Sequence, residues 1–187
     1  MRPMDTLTAQ CPEAHRAHPG APALTLTEAR PEHIPAILEI YSVYVLEALC
    51  TFEELPPSLE EMQQRLNRLR RVGLPWLVAL EGDRVVGYAY ASPYRSRPAY
   101  NGTVEDSIYV RRGHDGRGVG RALLDALVSQ CRALGYREMI AVVGDSANTA
   151  SLALHERMGF RKVGVLTDVG RKFNRSVDTV LMQRTLA

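Results

Sequence analysis

The chain carries little that would staple, anchor or metallate it. Its three cysteines, Cys11, Cys50 and Cys131, are odd in number and far apart. That spacing excludes a disulfide framework and a cysteine-rich metal cluster, leaves each as an expected free thiol, and makes a reducing, cytoplasmic setting the expectation. No apolar run is long enough to span a bilayer, and residues 1–22 lack the continuous apolar segment of a secretory signal. Charge of one sign is also missing. The formal net charge is +2, with acids and bases interleaved, so no basic stripe marks a nucleic-acid partner. Neither a nucleic acid, a membrane nor a metal is therefore expected, and no internal repeat appears.

What is present is a core. With 187 residues and 45% apolar content, the chain suffices for one domain. Residues 1–22 mix Pro, His, Gly, Thr and Ala without a hydrophobic period and read as a disordered extension, so the domain is expected over 23–187. A strand is expected at 24–27. A helix follows, with Pro31 and Pro35 in its opening turn and Ile34, Ile37, Leu38, Tyr41, Val45 and Leu49 at helical spacing. Ser58 and Glu61 form a capping-box signature for a second helix, stopped by Gly73 and Pro75. Strands at 76–81 and 84–91 flank the turn Gly82-Asp83. An Arg-, Pro- and Tyr-rich loop leads to a strand at 103–110. An amphipathic helix at 118–134, closed by Gly135, a strand at 137–143, a helix at 148–158 and strands at 160–166 and 178–186 complete the order. The class is a mixed α/β domain.

The most informative stretch is Ile108-Tyr109-Val110-Arg111-Arg112-Gly113-His114-Asp115-Gly116-Arg117-Gly118-Val119-Gly120, between a strand and an amphipathic helix. Glycines let backbone approach a ligand closely, and a helix start offers free N–H groups at a positive dipole end. Such a turn suits a pyrophosphate, with Arg111, Arg112 and Arg117 as candidate sources of added charge. An ordinary glycine-rich connection fits the turn alone equally well. The Gly-Lys-Ser/Thr ending of a P-loop is absent, and no repeated βαβ unit supports a dinucleotide fold.

Gly-Arg-Gly-Val-Gly opening a helix after Tyr-Val resembles the acetyl-CoA pyrophosphate loop of the GNAT acetyltransferase superfamily. The run from Asn148 to Gly159-Phe160 resembles that superfamily's later segment. Within it, the chain is similar to the phosphinothricin and methionine sulfoximine acetyltransferases over residues 24–186. The matching stretches include Phe52-Glu53-Glu54, Pro75-Trp76-Leu77-Val78-Ala79, Thr103-Val104-Glu105, Leu154-His155-Glu156 and Gly170-Arg171-Lys172-Phe173. The resemblance implies a GNAT fold, a central mixed but mostly antiparallel sheet of six to seven strands flanked by about four helices. It implies acetyl-CoA as cosubstrate, a small-molecule amine as acceptor, and a homodimer. Asp115 and Val177 depart from the family's usual residues.

Acyl transfer from a thioester to an amine needs a base for the ammonium, donors for the developing oxyanion and an acid for the thiolate. Glu105 is the expected base: Val104 and Asp106 face the other side of its strand, so its carboxylate can reach a cleft. A strand-surface glutamate is the plainer alternative, and the resemblance favours catalysis. His155 is the second catalytic candidate, as acid, helper or orienting group. The resemblance assigns the cofactor to Ile108, Tyr109, Val110, Gly116, Arg117, Gly118, Val119, Gly120, Arg121, Asn148 and Ser151, with strand N–H groups near 108–110 serving the oxyanion. Arg95 and Arg97 are expected to hold a substrate anion, with Phe52, Tyr100 and Lys172 lining the pocket. A peptide acetyltransferase and a non-catalytic acyl-CoA-binding module are the competing readings.

Overall fold

The computed structural model describes residues 23–186; the extension expected over 1–22 lies outside the described residues. A seven-stranded sheet runs through it. The strands are β1 (Leu24–Glu28), β2 (Trp76–Glu81), β3 (Arg84–Pro93), β4 (Thr103–Val110), β5 (Glu138–Gly144), β6 (Arg161–Lys172) and β7 (Arg175–Thr185). Their spatial order is β1-β2-β3-β4-β5-β7-β6, and only β4 and β5 run parallel. Four helices accompany it: α1 (Ile34–Glu47), α2 (Leu59–Arg71), α3 (Val119–Ala133) and α4 (Thr149–Arg157). None is long and apolar enough to cross a membrane.

Alternation along the strands sorts side chains to the two faces. On β4, Val104, Asp106 and Ile108 point toward α3 and α4, where Asp106 meets His155 and Ile108 lies near Gly120. Glu105, Ser107 and Tyr109 point the other way, and Tyr109 packs edge-on against Tyr41 and Tyr44 of α1. α1 and α2 thus cover one face, α3 and α4 the other. Ser58 caps α2 by accepting from the Glu61 N–H, but the Glu61 carboxylate turns to Arg65 instead of closing the box.

The final hairpin is longer than expected. In place of two short strands at 160–166 and 178–186, β6 and β7 run through Lys172 and from Arg175, joined at Phe173-Asn174 with φ of 51° and 58°. Their register slips between Leu166 and Gly170. The first helix also ends two residues early, at Glu47 rather than Leu49. The segment between α1 and α2 then lies against β5 and β6. A Cβ on Gly144 would sit 3.0 Å from the Cys50 and Leu49 backbone, and one on Gly170 would sit 2.0 Å from the Phe52 ring. Phe52 therefore packs against a strand position that only glycine can occupy.

Candidate active site

The site begins where the two parallel strands part. β4 and β5 pair from Thr103↔Glu138 to Asp106↔Ala141 and no further, although β4 continues to Val110 and β5 to Gly144. β3 pairs with β4 along its whole length. Just beyond β4, the Arg111 N–H donates to Val86 O of β3. Ladder bonds alternate, so the N–H groups of Ile108 and Val110 point away from β3, into the gap. The Val110 carbonyl on that side accepts from Tyr44 Oη at 2.7 Å. Strand edges left open inside a fold are donors awaiting a ligand.

A groove of about 470 Å³ runs out of this gap. Ile108, Tyr109 and Val110 form one wall, and Asn148, Ser151 and His155 of the α4 region the other. Gly116, Gly118, Val119, Gly120 and Arg121 close its far end. Gly118 is the N-cap of α3 at φ 84°, with no side chain capping the helix, so the first-turn N–H groups stay available. Backbone donors at a dipole's positive end, with Arg121 and Arg157 on the rim, fit a diphosphate. Asn148 caps α4 by accepting from the Ser151 N–H. Tyr44, Cys50, Asp106 and Arg157 also line the groove and were not expected there.

The loop arginines pair with acids outside the groove. Arg111 is bound bidentately by Glu39, at 2.6 and 3.0 Å, and donates to Val85 O. Arg112 meets Glu47 at 2.5 Å. Arg117, expected at the cofactor, meets Glu81 at 2.9 Å and does not line the groove. Their side chains tie the loop to α1 and β2, while Arg121 lines the groove.

Glu105 lies on the opposite face of β4 from the groove wall formed by Ile108. It is half-buried and directly across from Ser92 of β3. Burial, with the Asp106 charge next in importance, raises its carboxyl to about 7. A carboxylate poised near neutrality suits a base for an ammonium. His155 is 2% exposed and hydrogen-bonded at both ring nitrogens, Nδ1 to Ser151 O at 2.8 Å and Nε2 to Asp106 Oδ2 at 3.0 Å. Burial opposes its charge, but Asp106 and the Ser151 carbonyl outweigh that and lift its pKa above the ordinary value.

The other expected substrate residues fall in two groups. Lys172, 2% exposed, donates from Nζ to Thr51 O at 2.7 Å, and Thr51 shares a hydrogen bond with Tyr41 Oη at 3.1 Å. These contacts hold the segment that bears Phe52. Arg95 and Tyr100 belong to the loop between β3 and β4, where the Arg95 guanidinium lies 5.1 Å from the Tyr94 ring centroid and 5.9 Å from that of Tyr100. Arg97 precedes a short 3-10 turn, Pro98–Tyr100, and is exposed. The loop emerges at the end of the sheet where Glu105 faces Ser92, and neither arginine has an acidic partner among the described residues.

The model of the Acetyltransferase (GNAT) family matches residues 37–160. Phosphinothricin N-acetyltransferase of Alcaligenes faecalis is 45% identical over 183 residues, 92% of this chain and 93% of the relative. An L-methionine sulfoximine/L-methionine sulfone acetyltransferase of Pseudomonas paraeruginosa is 37% identical over 163 residues, 87% and 94% of the two chains. Among solved structures, a GNAT superfamily phosphinothricin acetyltransferase of Sinorhizobium meliloti in complex with AcCoA superposes with a TM-score of 0.85. It is 45% identical, and the match covers 88% of this chain and 89% of that one. With a splayed β4–β5 pair, an uncapped glycine-rich helix start and these relatives, the chain belongs to the GNAT family of acetyl-CoA-dependent acetyltransferases.

Proposed function

We propose that the chain acetylates the amino group of a small amino-acid-like acceptor of the phosphinothricin or methionine sulfoximine type. The observation that carries the reading is Glu105, half-buried and raised to about 7, on the strand whose free N–H groups line the splay. The ionised carboxylate takes a proton from the acceptor's ammonium. The freed amine adds to the thioester carbonyl carbon, and the N–H groups of Ile108 and Val110 stabilise the oxyanion. The carbon–sulfur bond then breaks as the nitrogen gives up its second proton, which passes to the departing thiolate, giving the amide and the free thiol. Arg95 and Arg97, without acidic partners among the described residues, hold the acceptor's carboxylate or phosphinyl group, while Phe52 and Tyr100 wall its chain and Lys172 fixes the Phe52 segment. The names of the curated relatives support this acceptor class.

Two further readings accompany it. Cys50 and Cys131 are free thiols, which supports a cytoplasmic setting. The outer strand β6 exposes Val163, Val165, Leu166 and Val169, which supports a homodimer with this arm at the contact.

The test is thiol release from acetyl-CoA across phosphinothricin, methionine sulfoximine, methionine sulfone, the common amino acids and short peptides. Turnover with the sulfoximine or phosphinothricin supports the reading. Turnover with peptides alone overturns it in favour of protein acetylation, and binding of acetyl-CoA without turnover favours a non-catalytic module.

A further inference from the structure

Asp106 is a charged residue on an apolar face. It shares that face of β4 with Val104, and its side chain is only 1% exposed. A carboxylate removed from water needs a partner, because desolvation costs several kcal/mol in a real interior. Oδ1 has no hydrogen-bond partner among the described residues, so the whole burden falls on Oδ2 and on His155 Nε2 at 3.0 Å.

The other ring nitrogen fixes one hydrogen on the imidazole. Nδ1 of His155 lies 2.8 Å from the Ser151 carbonyl, which can only accept, so Nδ1 carries a hydrogen. One further proton lies between Nε2 and Asp106 Oδ2, 3.0 Å apart. The Phe160 ring meets the imidazole edge-on, with centroids 5.0 Å apart, and fixes its plane. The other titratable groups nearby oppose a second negative charge. Cys131 of α3 is a thiol pushed up to about 12, by burial and then by Asp106. On the far face stands Glu105, adjacent in sequence, with Tyr90 of β3 beside it.

We propose that Asp106 is a positioning residue that holds His155 as a doubly protonated imidazolium, whose positive charge offsets part of the Asp106 charge felt by Glu105. The inference rests on Glu105 being the base. His155 then keeps its proton through the reaction, since both its N–H groups are committed. Without the imidazolium, a bare carboxylate one residue away would push Glu105 further up and out of its working range.

Two measurements decide it. In nitrogen NMR of the intact wild-type protein, with the His155 signals identified by their loss in His155→Gln, both ring nitrogens should remain protonated well above the ordinary histidine midpoint of about 6.5. A ring that is neutral at pH 7, with Nε2 as acceptor, overturns the pair, and this readout requires no substitution to be active. The second is the pH profile of kcat/KM. His155→Gln should move the acidic limb upward by about one pH unit, and Asp106→Asn added to it should bring the limb back down. Loss of the alkaline limb instead, not restored by Asp106→Asn, would make His155 a proton donor and overturn the proposal. Failure of the base assignment looks different: Glu105→Gln would then keep its turnover while the ring titration stood unchanged. An acidic limb fixed in His155→Gln, with Glu105→Gln inactive, overturns the shielding.

Discussion

A glutamate raised to about 7 holds its proton in acid and releases it near neutrality, so Glu105 ties rate and stability to the same ionisation. Below that value it carries the proton it must accept. The kcat/KM profile should therefore fall on the acidic side with a midpoint near 7, and Glu105→Gln should lower kcat by about 10²- to 10⁴-fold with acetyl-CoA affinity retained. The stability sign follows from the same raised value. A carboxyl whose folded pKa lies above its unfolded one stabilises the fold at low pH, and that contribution is lost as pH rises through about 7. Glu105→Gln, which cannot ionise, should thus unfold at a higher temperature than wild type at pH 8, and the difference should shrink toward pH 4.5. Equal midpoints at both pH values would contradict the burial. The direction in which Glu105 points was legible in the alternation Val104-Glu105-Asp106. The fate of Asp106 was not, because the same alternation that sends it inward says nothing about a histidine 49 positions on. The pairing of Arg111, Arg112 and Arg117 was hidden for the same reason. A loop's charge shows in its own sequence, while the glutamates that neutralise it sit on α1 and β2.

The glycine-rich loop before α3 is an element whose shape is set from outside. Glu81, at the end of β2, takes Arg117 at 2.9 Å and His114 at 3.6 Å, with its own side chain only 13% exposed. Glu81→Gln should loosen the loop and raise the KM for acetyl-CoA several-fold with kcat held, a loss of about 1 kcal/mol appropriate to a partly exposed pair. An unchanged KM would mean that the glycines alone define the loop. Gly118→Val tests those glycines. Its φ of 84° strains a β-branched residue by about 1 to 3 kcal/mol, and the start of α3 should lose acetyl-CoA binding in an equilibrium titration. α3 itself was fully legible, since its apolar stripe and Gly135 are local signals. The β6–β7 hairpin was half legible. Its inner ends alternate clearly, but Thr167 to Val177 is polar, bulged at Asp168 with φ 55° and turned at Phe173-Asn174, so pairing with the partner strand rather than local pattern keeps it extended.

At the scale of the molecule, the sheet divides the chemistry between its faces. The groove is lined mainly from the α3/α4 side but reaches Tyr44 of α1 and Cys50 through the gap between β4 and β5, while Glu105 lies on the α1/α2 side. The last element to place is β6, the sheet's outer strand, exposed along nearly its whole length. Val163 and Val169 are more than half exposed, Leu166 is 47% exposed, and Phe173 at the hairpin tip is 50% exposed. A monomer rarely leaves so many large apolar groups on one free strand, and an uncovered edge of this kind invites association. Covering by a second copy would form a closed two-fold contact in which the same strand serves both protomers. The same strand carries Gly170 and Lys172, which hold Phe52 and Thr51, so a contact at β6 would also stiffen the wall of the acceptor pocket. Sedimentation equilibrium should accordingly give a dimer mass for the intact chain. Replacing Leu166 and Val169 together by Asp should yield monomers that bind acetyl-CoA as before but have a raised KM for the acceptor. A wild-type monomer at micromolar concentration would remove the homodimer. A variant that stays dimeric would move the contact to another face of the sheet.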